Sequence, residues 1–192
     1  MKTILSLALL IASVASVRAA TYQIDADHSS VGFRVRHLIG HVNGQFNKFE
    51  GAFDYEPKKP QTWKTSAKID ASSVDTKVQK RDDHLRSADF LDVKNYPEIT
   101  FVSTKVSGIK GSRAKLIGKL TIHGVTKNVS LDLEIGGIDK DAGGNERAAF
   151  SARTKINRKD FGLKWNDVTE SGGVLVGDIV EISIEAEGVK QK

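Results

Sequence analysis

The sequence predicts an all-β protein whose antiparallel sheet closes into a barrel or folds on itself as a sandwich. Three observations carry this. Apolar and polar residues alternate with period two in segment after segment, the pattern of strands with one buried face. Turn-forming residues separate those segments. No long amphipathic helix is available to cover a sheet face, so the sheet has to cover itself.

The first twenty residues stand apart from the pattern. Lys2 supplies a short positive start, and Ile4 to Ala12 form an apolar run too short to span a bilayer. Ser13 to Ala20 is small and weakly polar, and Val17-Arg18-Ala19 puts small residues where a signal peptidase reads. A signal peptide over residues 1–20 is expected, cleaved after Ala19 or Ala20, ahead of a single domain over 21–192. No Cys follows the apolar run, which excludes a lipid-modified amino terminus. The expected compartment is the periplasm, with full secretion as the alternative.

After it come the strands. One is expected near Tyr22, then Val31, Phe33 and Val35 alternate with Gly32, Arg34 and Arg36, and a further strand covers Phe46 to Tyr55. Trp63, Thr65, Ala67 and Ile69 form the next face, followed by Ile99, Phe101 and Ser103, and by Leu116, Gly118, Leu120 and Ile122. Val129 to Ile135, Phe150 to Ile156 and Val180 to Ala186 complete a series of eight or nine. Turns are predicted at His41 to Gly44, Pro57 to Pro60, Gly108 to Ser112, Asp139 to Asn145 and Ser171 to Gly173. An eight-stranded barrel holds side chains alone or one ligand. Small or polar inward residues (Ala67, Ser103, Gly118, Ala152, Thr154, Ala186) leave volume near the axis, and patterning leaves both contents open.

One charge-dense segment interrupts the strands, Thr76 to Phe90. It reads as a short helix capped by Asp75 or Thr76, with Val78, Leu85 and Ala88 near one face and Lys80, Asp83 and Arg86 outward. Arg81 and Leu85 stack on adjacent turns, as do Lys80 and His84. Such a helix either plugs one barrel end, with Arg81 and Asp82 bonding to neighbouring loops, or presents Arg81 and His84 as a polar rim beside a mouth.

Composition narrows the function. Removing Lys2 and Arg18 from the 29 basic side chains leaves 27 against 24 acidic ones, a formal charge of +3 with both signs mixed along the chain. That is no nucleic-acid footprint. The absence of Cys rules out disulfides and thiolate metal sites. Catalysis finds no support: His28, His37, His41, His84 and His123 sit in no ligand or base motif, and neither H-E-x-x-H nor G-x-S-x-G occurs. Neither a metal nor a cofactor is expected. Basic outward positions (Arg34, Arg36, Lys64, Lys68, Lys115, Lys119) allow transient membrane or partner contact, though they equally describe a solvated sheet face. Pairing through an edge or rim would give a homodimer.

The chain resembles the YceI-like family of exported polyisoprenoid-binding proteins over essentially all of its mature length. The resemblance rests on Tyr22-Gln23-Ile24-Asp25 with His28-Ser29, Phe33-Arg34-Val35-Arg36-His37-Leu38, and Gly44-Gln45-Phe46 leading to Phe49-Glu50-Gly51. It continues through Arg81-Asp82-Asp83-His84-Leu85 with Ser87-Ala88-Asp89-Phe90, Gly118-Lys119-Leu120-Thr121-Ile122 with Gly124-Val125-Thr126, and Asn157-Arg158-Lys159-Asp160-Phe161-Gly162. It implies an extended, eight-stranded lipocalin-like barrel with a short capping helix, holding an isoprenoid chain such as that of a quinone or prenyl lipid. The expected ligand-binding residues are Phe33, Val35, Phe46, Phe49, Phe90, Phe101, Leu120, Ile122, Phe150 and Phe161, with Arg81 and His84 at the head group or cap. The expected role is that of an exported carrier or sequestering protein. The alternative is a surface-acting structural or stress-response protein that binds fatty-acid-type amphiphiles or a protein partner.

Overall fold

A computed structural model describes residues 19–168 and 173–192; the expected signal peptide lies, but for its last two residues, outside them. Among the described residues the strands are β1 (Ala20–Ile24), β2 (Ser30–His37), β3 (Gly40–Phe46), β4 (Phe49–Tyr55), β5 (Lys64–Asp70), β6 (Val74–Asp75), β7 (Glu98–Lys110), β8 (Arg113–Ile122), β9 (Val125–Lys140), β10 (Glu146–Asn157) and β11 (Val176–Lys190). Helix α1 spans Gln79–Arg86.

Closure follows from the length of β11. One edge of it pairs with β10; the other takes β1 at its carboxyl end, Lys190 facing Tyr22, and β2 at its amino end, Val176 facing His37. From β1 the ladder runs through β4, β5, β7, β8, β9 and β10 back to β11, antiparallel throughout. The ring has eight strands, as expected, and a sandwich is excluded.

Three barrel staves are broken at one level. β1 and β2 are halves of one stave, as are β3 with β4 and β5 with β6. Asp25 and Asp70 start the breaks by accepting the N–H of Asp27 (3.1 Å) and Ser72 (2.8 Å), each nucleating a 3-10 turn. The breaks are stitched together by Asn47 N–H to Ser73 carbonyl (3.1 Å) and Asp70 N–H to Lys48 carbonyl (2.9 Å). Beyond this level the ladder does not close. β6 pairs with β3, and β7 begins at Glu98, opposite Asp70. Helix α1 and residues 87–97 fill the gap. Arg86 donates Nε to the Ser72 carbonyl (2.7 Å) and Nη2 to the Val74 carbonyl (2.8 Å), and buried Leu91 packs with Ala71, Val74, Ile99 and Leu120.

Four local expectations are corrected. His41 to Gly44 is strand, and the chain reverses instead at Leu38-Ile39, with His37 facing Gly40 and Leu38 at φ +52°. The Phe46–Tyr55 strand is interrupted at Asn47-Lys48. Val78, not Asp75 or Thr76, caps α1, and it offers no side-chain bond. Buried Asp82 reaches back instead, accepting the N–H (2.8 Å) and hydroxyl (2.5 Å) of Thr76. Ala88 lies past the helix and is exposed.

Candidate functional site: an apolar tunnel with a cationic mouth

The barrel encloses a cavity of about 630 Å³. Its wall is the inward set of each stave, and period two selects its members: Val31, Phe33 and Val35 on β2, Thr65, Ala67 and Ile69 on β5, Phe150, Ala152, Thr154 and Ile156 on β10, and Val180, Ile182, Ile184 and Ala186 on β11. Small members on β5, β10 and β11 leave the bore open.

Two of the expected small positions work differently. Gly118 does not line the cavity, because the ring of Phe101 lies against it; a Cβ there would stand 2.5 Å from Phe101 Cζ. Gly44, across from Phe33, is covered in the same way, at 2.3 Å. Each glycine lets an aromatic ring lie along the wall rather than across the tunnel. Ser103 is taken up by the sheet, its Oγ accepting the Thr65 N–H at 2.8 Å, and a bulge beyond it transfers the inward face to Val106.

One end is a closed floor. Tyr22 stacks on Phe53 (5.3 Å between centroids), and Phe150 meets Phe53 (5.1 Å) and Tyr55 (4.8 Å) edge-on, with Trp63 against Tyr55 at 4.7 Å. Offset and edge geometries of this kind fix rings in place. Tyr22 is buried, and its hydroxyl donates to Glu146 (2.7 Å); burial first, and then that carboxylate, push its pKa up.

The other end is polar. His37, Lys80, Arg81 and His84 line it beside Trp165 and Leu175. Arg81 donates Nε to Thr76 Oγ1 (2.7 Å) and Nη2 to the Thr76 carbonyl (2.9 Å), so it pins the cap while facing the cavity. His84 Nε2 lies 2.8 Å from Asp89, and its ring meets Phe90 (5.0 Å) and Trp165 (4.8 Å) edge-on. Arg158, 3 % exposed, donates to the carbonyls of Gly177 (3.0 Å), Leu163 (2.6 Å) and Trp165 (2.8 Å). Burial lowers its pKa, opposed by Asp178. It clamps the segment carrying Trp165 onto the start of β11.

Of the residues expected from sequence, Phe33, Val35, Phe46, Phe49, Phe90, Phe101, Leu120, Ile122 and Phe150 line the cavity, with Arg81 and His84. Phe161 does not. It is 2 % exposed and packs with Ala71, Val74 and Ile156 in the upper core. Arg158, His37 and Trp165 were not anticipated, nor was Lys80, which was expected to point outward. The first two keep the inward parity of Phe150 to Ile156 and of Val31 to Val35, a signal that extending each alternation by one step would have read. Trp165 sits in irregular chain, where no periodicity points to it.

Outside the tunnel, ligand atoms of Asp25, His28 and Glu187 lie within 4.8 Å of one another. Arg147 already supplies positive charge there, its Nη1 2.8 Å from Asp25 and 2.6 Å from Glu187, with Nε 2.9 Å from Asp141. Arg147, and then His28, hold the Asp25 carboxyl down at about 2.

A family model described as the YceI-like domain matches residues 22–188, from β1 into β11. The chain belongs to the YceI-like family. It is 41 % identical to protein YceI of Escherichia coli O157:H7, across 98 % of this chain and 96 % of that one. Among solved structures, the YceI protein of Campylobacter jejuni is 36 % identical, with a TM-score of 0.70 over 82 % of this chain and 90 % of that one. A polyisoprenoid-binding domain from Saccharophagus degradans shares the fold at 14 % identity, with a TM-score of 0.65 over 91 % of this chain and 100 % of that one. The eight-stranded barrel with its short helix is thus the YceI-like fold.

Proposed function

We propose that this YceI-like protein binds one long isoprenoid-type amphiphile, such as a quinone or prenyl lipid, and carries or sequesters it without covalent chemistry. The observation that carries this is the polarity of the tunnel: an apolar bore, aromatic rings at the floor, and Lys80, Arg81, His84 and His37 at the mouth. The tail would lie against Phe150 and Trp63, and the head group at α1. The volume falls within the roughly 300–1,000 Å³ of sites that enclose one small ligand. The driving force is removal of hydrocarbon from water, about 25 cal/mol per Å², less the cost of ordering a flexible chain. The polyisoprenoid binding of the Saccharophagus degradans domain, which has the same fold, supports the choice of ligand class.

The proposed setting is the periplasm, reached after removal of the leader. β1 begins with Ala20 facing Tyr55, which favours cleavage after Ala19 because Ala20 then stays in the sheet. The test is organic extraction and mass spectrometry of protein purified from the exported fraction. A near-stoichiometric isoprenoid or quinone is expected. Phospholipid alone, with no uptake of added quinone, would overturn the reading.

A further inference from the structure

The tip of the β2–β3 hairpin breaks a rule that the other hairpins keep. Two-residue reversals need positive φ, and glycine or asparagine normally supplies it. The β7–β8 turn uses Gly111, and the β8–β9 turn pairs His123 with Gly124. The β2–β3 turn is Leu38-Ile39, with Leu38 held at φ +52° and Ile39 completely exposed. A branched aliphatic pair in a strained, protruding turn is poor turn chemistry and poor solubility chemistry together. Local rules broken at one spot point to function there.

This tip stands at the tunnel mouth. The Leu38 N–H donates to the Leu175 carbonyl (2.9 Å), and both His37 and Leu175 line the opening. Exposed Val78, Val168 and Val174 lie at the same end, the last two paired in an isolated bridge just before Leu175. Charge surrounds them. Asp75, Asp83, Asp89 and Asp178 are each met by a cation: Lys77, Arg86, His84 and Lys159. Among the described residues, Arg36, Lys80, Arg81 and Lys164 have no carboxylate partner. Among the described residues of this end, Asp160 and Asp167 are the exposed carboxylates left without a cation, and Asp167 accepts the Val168 N–H (2.8 Å), while Asp82 is buried against Thr76 and half-buried Asp92 accepts from Asn95 (2.8 Å). Arg36 is held at the tip itself, its Nη1 donating to the Leu38 carbonyl (3.0 Å).

We propose that the mouth end docks on an anionic lipid bilayer, with Ile39 and Leu38 entering the acyl region and the unmatched cations lying among the head groups. Protruding aliphatics with surrounding cations match a soft apolar layer under a negative surface. A protein partner would instead need a broad complementary face of roughly 800 Å² per side, which a two-residue tip does not provide. Docking in this orientation sets the opening against the membrane, so a hydrocarbon tail passes between bilayer and tunnel without crossing water. That last step rests on the tunnel being a lipid site; the docking does not.

Co-flotation with vesicles tests it, using phosphatidylcholine alone or mixed with phosphatidylglycerol. The parent protein should bind the mixed vesicles, lose binding as salt is raised, and bind pure phosphatidylcholine poorly. Ile39→Asp should weaken binding about tenfold, the scale of exposing one large aliphatic side chain, and a Lys80→Glu/Lys164→Glu variant should remove the preference for anionic lipid. Parent and variants are all purified from the exported fraction, so that the apolar run of residues 4–12 does not itself drive flotation. Equal flotation of parent and Ile39→Asp would overturn the proposal, as would equal binding to both lipid mixtures. Concentration-dependent self-association that Ile39→Asp abolishes, without vesicle binding, would give the tip to a second copy and also overturn it. In parallel, a quinone with a short isoprenoid tail is titrated without vesicles and should bind parent and Ile39→Asp alike. Failure of that titration, with flotation intact, would sink the tunnel reading and leave docking standing.

Discussion

Gly44 and Phe33 set the bore between them. Phe33 is the largest side chain that β2 sends inward, and its ring has room along the wall because Gly44 opposite carries no side chain. A methyl group at Gly44 would overlap the ring, with its nearest atom at 2.3 Å, so Phe33 would have to swing into the tunnel. Gly44→Ala should therefore weaken binding of a long-chain isoprenoid quinone about tenfold, at a stability cost of about 1–3 kcal/mol. Fluorescence titration with thermal melts checks this, and adding Phe33→Ala should restore binding. If Gly44→Ala binds normally, the ring does not gate the bore. At this scale the sequence was legible wherever parity rules: Phe33, Val35, Phe101 and Phe150 face inward because their strands alternate. Phe161 lies away from the cavity wall because it sits in a 3-10 turn after β10, where alternation no longer reports direction. The covering of Gly118 by Phe101 was hidden too, since it depends on a diagonal neighbour across the ladder rather than on either residue's own strand.

Helix α1 is too short to be stable alone, and its one apolar side is slight. Tertiary bonds hold it: Asp82 and Arg81 to Thr76, and Arg86 to the carbonyls of Ser72 and Val74. Arg86 thus binds the cap to the short strand that ends the open side of the ladder. Arg86→Ala should lower stability by about 1.5–3 kcal/mol, the range for hydrogen bonds to a charged group. It should also raise amide exchange across residues 79–93 well above that of β8 and β9. Exchange unchanged in the cap would show that Leu91 packing alone retains it. The segment's charge density marked it in the sequence as a cap, and that much was legible. The stave breaks were not. Identical alternation resumes on both sides of Asn47-Lys48, so a period-two reading runs straight through.

At the scale of the whole molecule, the outer surface carries a charge cluster that ties the first strand to the last two. Arg147 of β10 joins Asp25 at the end of β1, Asp141 in the β9–β10 turn and Glu187 of β11. Asp25 and Asp75 titrate at about 2, held down by Arg147 and Lys77 respectively, and Arg147 depresses Asp141 as well. Each folded-state pKa is below the unfolded value near 4. Their stabilisation is therefore complete above about pH 4 and is lost as pH falls toward 2. Urea midpoints should stay level down to about pH 4 and then drop, and Arg147→Met should make the acid limb shallower. An acid limb unchanged by Arg147→Met would place the loss elsewhere. Strand number and pairing sense were readable from the sequence. Closure into a barrel rather than a sandwich was readable only through the resemblance to the YceI-like family and not from the alternation, because it is decided by β11 having length enough to hold both β1 and β2 on one edge.

The unequal closure of the two ends has a consequence for what such a container can discriminate. Near the floor, girth is set by a complete hoop of main-chain bonds, and strand number leaves it little play. Past Asp70 the hoop is interrupted, and the circumference is completed by a clasp of side chains from Arg86, Leu91 and Asp82. A hoop gauges; a clasp yields. If the tunnel holds the proposed amphiphile, the slender end is measured to a fixed tolerance and the bulky end is taken by adjustment. Changes in residues 76–97 would retune what is accepted at the wide end without disturbing the gauge below.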